Sequence, residues 1–108
     1  MPGSYWSSIK FNASYRGIPF EGLTKEDAWN KFVEQDGKCA LTGELLVFES
    51  ESNASDGTAS LDRIDSSKGY TKENIQWVHK NVNYIKRDLP NDEFIEWCKK
   101  VAKHNTDA

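Results

Sequence analysis

The 108-residue chain predicts an α+β fold. Apolar residues recur with helical period over 24–37 and again over 91–104, β-forming runs occupy 38–48 and 59–64 between them, and a further helix-like segment follows over 75–88. The resulting picture is a short β-hairpin packed on a helix, with flanking N- and C-terminal helices. At this length the chain holds one domain, 1–108, burying somewhat under ~70% of its unfolded surface, and a second core is not expected. The centre spans about 38–87, and the segments 1–37 and 88–108 are its helical flanks. Four Trp, four Tyr and five Phe supply large interior pieces, which separates the chain from disordered sequences despite a hydrophobic fraction of only 37%.

"SSIKFNASYRG" reads as a short helix ending at Gly17, because Ile9 and Ala13 lie one turn apart and glycine suits the left-handed position beyond a helix. In "LTKEDAWNKFVEQDGK", Thr24 is an N-cap, Glu26 and Asp27 sit near the positive end of the dipole, and Ala28, Trp29, Phe32 and Val33 form a stripe for the core. "KCALTGELLVFE" reads as two strands around a Thr-Gly turn, and "ESESNASDGT" as a surface loop. "ASLDRI" returns to strand. "IQWVHKNVNYIKRD" begins apolar and becomes helix-like, with Val78, Val82 and Ile85 toward a core, until Pro90 ends it. Asn91 then caps "DEFIEWCKKVAKH", whose shared face is Phe94, Ile95, Cys98, Val101 and Ala102. Trp29, Trp77 and Trp97 are expected in the core; Trp6 has no assigned place.

The net charge of −3 argues against coating of nucleic acid by bulk charge. Its distribution is more telling: from Leu61 onward nine Lys or Arg stand against eight Asp or Glu, and Lys80, Lys86 and Arg87 gather on one predicted helix, either as an ordinary solvated face or, beside a metal site, as phosphate contacts. Cys39 and Cys98 match no zinc spacing, no apolar run resembles a signal peptide, and none reaches membrane-spanning length. A reduced cytoplasmic setting and no membrane partner are the expectation.

Strand alternation puts Asp62 and Ile64 on one face, and helical spacing puts His79 and Asn83 on another common face at i and i+4. If strand and helix pack together, a carboxylate, an imidazole and an amide oxygen can converge into an open, hard site for Mg²⁺ or Mn²⁺ with room for water and phosphate.

The order "SLDRID…GY…ENIQWVHKNVNYIK" resembles the ββα-metal layout of HNH endonucleases, over about half the chain, Lys38 to Arg87. The flanking pieces "SYRGIPFEGLT" and "DEFIEWCKKV" are similar to those around the core in small phage-type members. The resemblance implies a divalent-metal-dependent DNA endonuclease acting in a bacterial or phage-infected cell, as a monomer or homodimer, that leaves 5′-phosphate and 3′-hydroxyl ends. Asp62 matches the metal-binding aspartate, Asn74 the asparagine that braces the loop, Asn83 the last metal ligand, and His79 a helical ligand of some members. Where most members pair the aspartate with a histidine base, this chain has Arg63; where many carry zinc-binding C-x-x-C knuckles, it has "CALT", so no structural zinc is expected.

A guanidinium is a rigid fork of donors suited to phosphate and not a base, so Arg63 is expected to orient the scissile phosphate. For the base, His79 leads, with Tyr70 and Asp65 as weaker alternatives and Tyr70 also a conceivable nucleophile. The competing reading is a non-catalytic nucleic-acid-binding module on the same fold.

Overall fold

The computed structural model describes residues 3–20, 22–48 and 57–106. Among these, the elements follow the order α1 (Gly3–Tyr15), α2 (Lys25–Glu34), β1 (Ala59–Arg63), β2 (Ile75–His79), α3 (Lys80–Lys86) and α4 (Asn91–Thr106). This is a small α+β domain: four helices around one two-stranded antiparallel sheet. Most of the polar loop expected at 49–58 lies outside the described residues.

Local chemistry sets the first two helices. α1 starts four residues earlier than its sequence suggests and stops at Gly17, whose φ of 69° lets the Ile18 and Gly17 N–H groups close back on the Ala13 and Ser14 carbonyls. α2 opens with a reciprocal cap: Thr24 Oγ1 accepts from Asp27 N at 3.0 Å while Asp27 Oδ2 accepts from Thr24 N at 3.1 Å. Its stripe is only partly interior. Ala28 is fully buried, but Trp29 is 39% exposed and Val33 55%.

The hairpin expected at 38–48 is a turn with a single bridge, Lys38 to Leu45, closed by Cys39 N on the Glu44 carbonyl at 2.7 Å. The true hairpin is β1 with β2, in the register Ala59–His79, Leu61–Trp77 and Arg63–Ile75. β2 is therefore drawn from residues whose pattern reads as the start of a helix. Four of its five residues, Ile75 to Val78, are buried, so both faces of the strand are covered and neither the two-residue nor the 3.6-residue period shows.

Trp77 is the centre of the core. It is inaccessible to solvent, donates its indole N–H to the Ala28 carbonyl at 2.8 Å, and lies within an aromatic cluster of Tyr5, Phe32 and Phe48 with ring centroids 5.4–6.0 Å away. Tyr5 extends this cluster to α1 and ties that helix to β1 through its hydroxyl on the Ala59 carbonyl at 2.7 Å. Trp6 is half-buried against Phe20. Trp97, expected inside, is 54% exposed on α4, with the Lys100 ammonium 4.8 Å from its ring centroid.

α3 is only seven residues long and ends at Arg87, with φ of 53°, before Pro90 is reached. Asn91 does not cap α4. The Pro90 carbonyl accepts the first helical bond from Phe94 N, and the Asn91 amide instead pairs with the Gln76 amide in two hydrogen bonds of 2.9 and 3.0 Å. Of the expected α4 face only Phe94 is buried.

Candidate active site

β1 and α3 bring the site together. In the β1 alternation Ser60 and Asp62 share a face, and α3 lies over it: Asn83 Nδ2 donates to Ser60 Oγ at 2.7 Å and Lys86 Nζ sits 2.9 Å from Asp62 Oδ2. The Asp62–Lys86 pair is enclosed, the lysine entirely and the aspartate side chain to within 7%. Gln76, opposite Asp62 in the register, donates a further hydrogen bond to the same carboxylate oxygen at 2.9 Å. Asp62 is thus held rigidly by a cation and an amide, the combination that permits a carboxylate to be buried.

A cavity of about 70 Å³ opens beside this pair, lined by Arg16, Asp62, Arg63, Ser66, Tyr70, Asn83, Arg87 and Asp88 together with Leu61. That volume accommodates an ion and a few waters, not a nucleobase. Four expected site residues, Asp62, Arg63, Tyr70 and Asn83, meet here although 21 positions separate the first from the last. Three arginines, Arg16, Arg63 and Arg87, and two aspartates, Asp62 and Asp88, are among its lining residues.

Arg63 is set by the loop that follows it. Its Nη1 donates to the Ser66 carbonyl at 2.8 Å and the Lys68 carbonyl at 2.9 Å, and its guanidinium carbon lies 5.6 Å from the Tyr70 ring centroid. The loop is fixed in turn by Asn74, whose Oδ1 accepts from Asp65 N at 2.9 Å and whose Nδ2 donates to the Asp65 and Gly69 carbonyls at 3.0 and 2.9 Å. Tyr70 N donates to the Pro19 carbonyl at 2.9 Å, and its ring packs on Phe20 at 5.3 Å. At Gly69 a Cβ would fall 2.5 Å from that carbonyl oxygen, so only glycine permits the approach. Asp65 turns the chain rather than entering the cavity: it accepts from the Ser67 hydroxyl at 2.6 Å and from Ser67 N at 3.0 Å, which with Lys68 and Arg63 hold its carboxyl below the usual range.

Two expected residues are placed elsewhere. His79 is the last residue of β2 and the N-cap of α3, where Nδ1 accepts from Asn81 N at 3.1 Å; it pairs with Ala59 at the sheet end away from Asp62 and does not line the cavity. Lys86, expected on a DNA-facing surface, is wholly buried as the counter-ion of Asp62, because the seven-residue helix turns that position onto β1. Lys80 and Arg87 are exposed and line a wider groove of about 460 Å³ with Arg16, Asn83, Tyr84 and Asp88. The groove shares Arg16, Asn83, Arg87 and Asp88 with the inner cavity, so the two adjoin.

Sequence reasoning missed Arg16, Asp88, Gln76 and Tyr84. Arg16 and Gln76 reach the site through tertiary contacts, and nothing in the linear order signals them. Asp88 was within sight, two residues beyond the "N-x-x-K" segment.

Besides Asp88, the donor set offers Asp62, whose Oδ2 is already engaged by Lys86 and Gln76, and one amide oxygen, from Asn83, whose nitrogen is committed to Ser60. Among the described residues no three His, Cys, Asp or Glu side chains cluster as ligands. This set fits Mg²⁺ or Mn²⁺, ions commonly bound by one or two carboxylates together with waters and substrate phosphate. The would-be knuckle at "CALT" buries Cys39, whose Sγ accepts the Thr42 and His79 amides at 3.4 Å each. Burial pushes that thiol up, but these hydrogen bonds outweigh it and leave it lowered.

No protein-family model, curated protein or solved structure matches the chain. Among the described residues no helix is long and apolar enough to cross a membrane.

Proposed function

We propose that this protein is a divalent-cation-dependent endonuclease that hydrolyses phosphodiester bonds in DNA at the Asp62–Arg63–Asn83 cavity, in the manner of the HNH endonucleases that its sequence resembles. The observation that carries the reading is the convergence of Asp62 and Asn83 on one small polar cavity rimmed by Arg16, Arg63 and Arg87. Asp62 and Asn83 would hold Mg²⁺ or Mn²⁺, which when bound supplies Lewis-acid stabilisation of the scissile phosphate and of the leaving 3′ oxygen.

The remaining work falls to the chain's own groups. Arg63, already ordered by the Ser66 and Lys68 carbonyls, binds a non-bridging phosphate oxygen through its remaining N–H donors with little further loss of freedom. Arg16, Lys80 and Arg87 take the flanking phosphates along the groove, and Tyr84, 81% exposed beside them, offers a stacking face for a base. With His79 outside the cavity, Asp88 is the remaining carboxylate on its lining and accepts the proton of the attacking water. One cavity per chain attacks one strand, leaving a 5′-phosphate and a 3′-hydroxyl.

Supercoiled plasmid incubated with the purified protein tests this. Relaxation is expected in Mg²⁺ or Mn²⁺, is expected to stop in EDTA, and is expected to be lost in Asp62→Asn, which preserves side-chain shape. Undiminished relaxation by a folded Asp62→Asn protein rejects the assignment. The buried Asp62–Lys86 ion pair favours a second reading, a DNA-binding module without catalysis, since it neutralises the carboxylate with a cation of the chain itself. That reading requires no nicking in any metal together with duplex binding that survives in EDTA.

A further inference from the structure

Gln76 is buried on β2, directly across the sheet from Asp62. Its Nε2 donates to Asp62 Oδ2 and to Asn91 Oδ1, each at 2.9 Å, and its Oε1 accepts from Asn91 Nδ2 at 3.0 Å. Both hydrogens of the Gln76 amide are therefore committed, and turning the amide over would press its oxygen against the carboxylate. Asn91 is the first residue of α4, so the start of that helix stands two hydrogen-bonded steps from Asp62.

Neither Gln76 nor Asn91 takes part in the proposed cleavage, and stability alone does not call for them. Lys86 already neutralises Asp62, and an amide pair replaced on both sides by apolar groups of the same shape is nearly neutral to folding. What the lysine does not supply is direction. An ammonium is a compact point charge on a flexible stem, whereas a planar amide held at both ends approaches from one fixed side. Lys86 and Gln76 both close on Oδ2, and neither lines the cavity that Asp62 lines. They hold the carboxylate from behind.

We propose that Gln76 and Asn91 are positioning residues for the divalent cation: together they keep Asp62 Oδ2 with Lys86 and present Oδ1 to the cavity before the cation arrives. The inference rests on the nuclease reading of that cavity. A carboxylate already aimed loses little freedom when an ion binds, and partners behind a metal ligand commonly contribute about 10–100-fold in affinity. Asn91 acts through Gln76. By this route α4 is coupled to the site, although none of its described residues lines the cavity.

Mn²⁺ titration of the full chain with a short DNA duplex, read by electron paramagnetic resonance of the free ion and run beside urea unfolding, tests this. Gln76→Leu is expected to weaken Mn²⁺ binding by about 10–100-fold. Asn91→Ala, at a half-buried position, is expected to weaken it by a smaller factor. The double variant is expected to bind no more weakly than Gln76→Leu alone, because one residue works through the other. Asp92→Ala, exposed beside Asn91, is expected to bind as the native chain does. If Gln76→Leu does not unfold cooperatively, Asn91→Ala decides alone. Native uptake that both single variants leave unchanged, even as their urea midpoints fall, overturns the inference and leaves the nuclease reading standing. Tighter binding in Gln76→Leu also overturns it, by showing that the amide competes with the cation for the carboxylate. Additive losses in the double variant overturn the route through Gln76. No uptake by the native chain removes the nuclease reading, and this inference with it.

Discussion

At the scale of single residues, the Asp62–Lys86 pair decides most. Both groups are buried, and each is tolerable only because the other is there. Lys86→Met leaves a carboxylate enclosed without its cation, and is expected to lower stability by about 3–5 kcal/mol, read from urea unfolding. A loss under about 1 kcal/mol would mean that the pair opens to water in solution. Asp65 supplies a milder, pH-dependent effect. Its carboxyl is lowered by the Ser67 hydroxyl and amide, so its contribution is full above the unfolded value of roughly 4 and is lost as the pH falls through the folded value. Asp65→Asn is therefore expected to be less stable than the native chain at neutral pH and to converge with it in acid; a gap independent of pH would contradict the hydrogen-bonded turn. The place of Asp62 on a strand was legible in the sequence, but its partner was not. Lys86 stands among basic residues that look solvated, and only the packing of α3 on β1 turns it inward.

At the scale of elements, the loop from Ile64 to Asn74 is what positions Arg63, and it rests on the segment before α2. Tyr70 reaches the Pro19 carbonyl and Gly69 lies against the same oxygen. Gly69→Ala is expected to cost about 1–3 kcal/mol and, because the loop carbonyls hold Arg63, to reduce cleavage more than it reduces duplex binding. Unchanged cleavage would show that Arg63 does not depend on the loop. Elements closed by local chemistry were readable from the chain: the Thr24–Asp27 cap, the Gly17 stop and the alternating run at β1 each carry their own signal. β2 was not readable as a strand, since covering on both faces erases its period and its last residue, His79, runs directly into α3. That same junction removes His79 from the helical position that the resemblance gave it. Asn91 was misread for a related reason, as a potential cap whose side chain is instead drawn to Gln76 by the tertiary fold.

At the scale of the whole molecule, the chain is elongated, 46 × 34 × 25 Å, with a radius of gyration of 14.7 Å against about 13 Å for an average domain of similar length. The cationic rim assembles from distant parts: Arg16 at the end of α1, Arg63 on β1 and Arg87 after α3. A chain of net charge −3 can thus gather three arginines at one rim. Arg16→Ala and Arg87→Ala are each expected to weaken duplex binding and to reduce the slope of log affinity against log salt by about 1, as for the loss of one phosphate contact. An unaltered slope in both would place the DNA on another surface. The central claim is that Asp62 and Asn83 hold one divalent cation at this rim. The most direct measurement is Mn²⁺ titration, followed by electron paramagnetic resonance of the free ion, with a short DNA duplex present. Saturable uptake of one ion per chain, lost in Asp62→Asn and weakened in Asn83→Ala, is the expected result, and absence of uptake, or uptake indifferent to both substitutions, would contradict it.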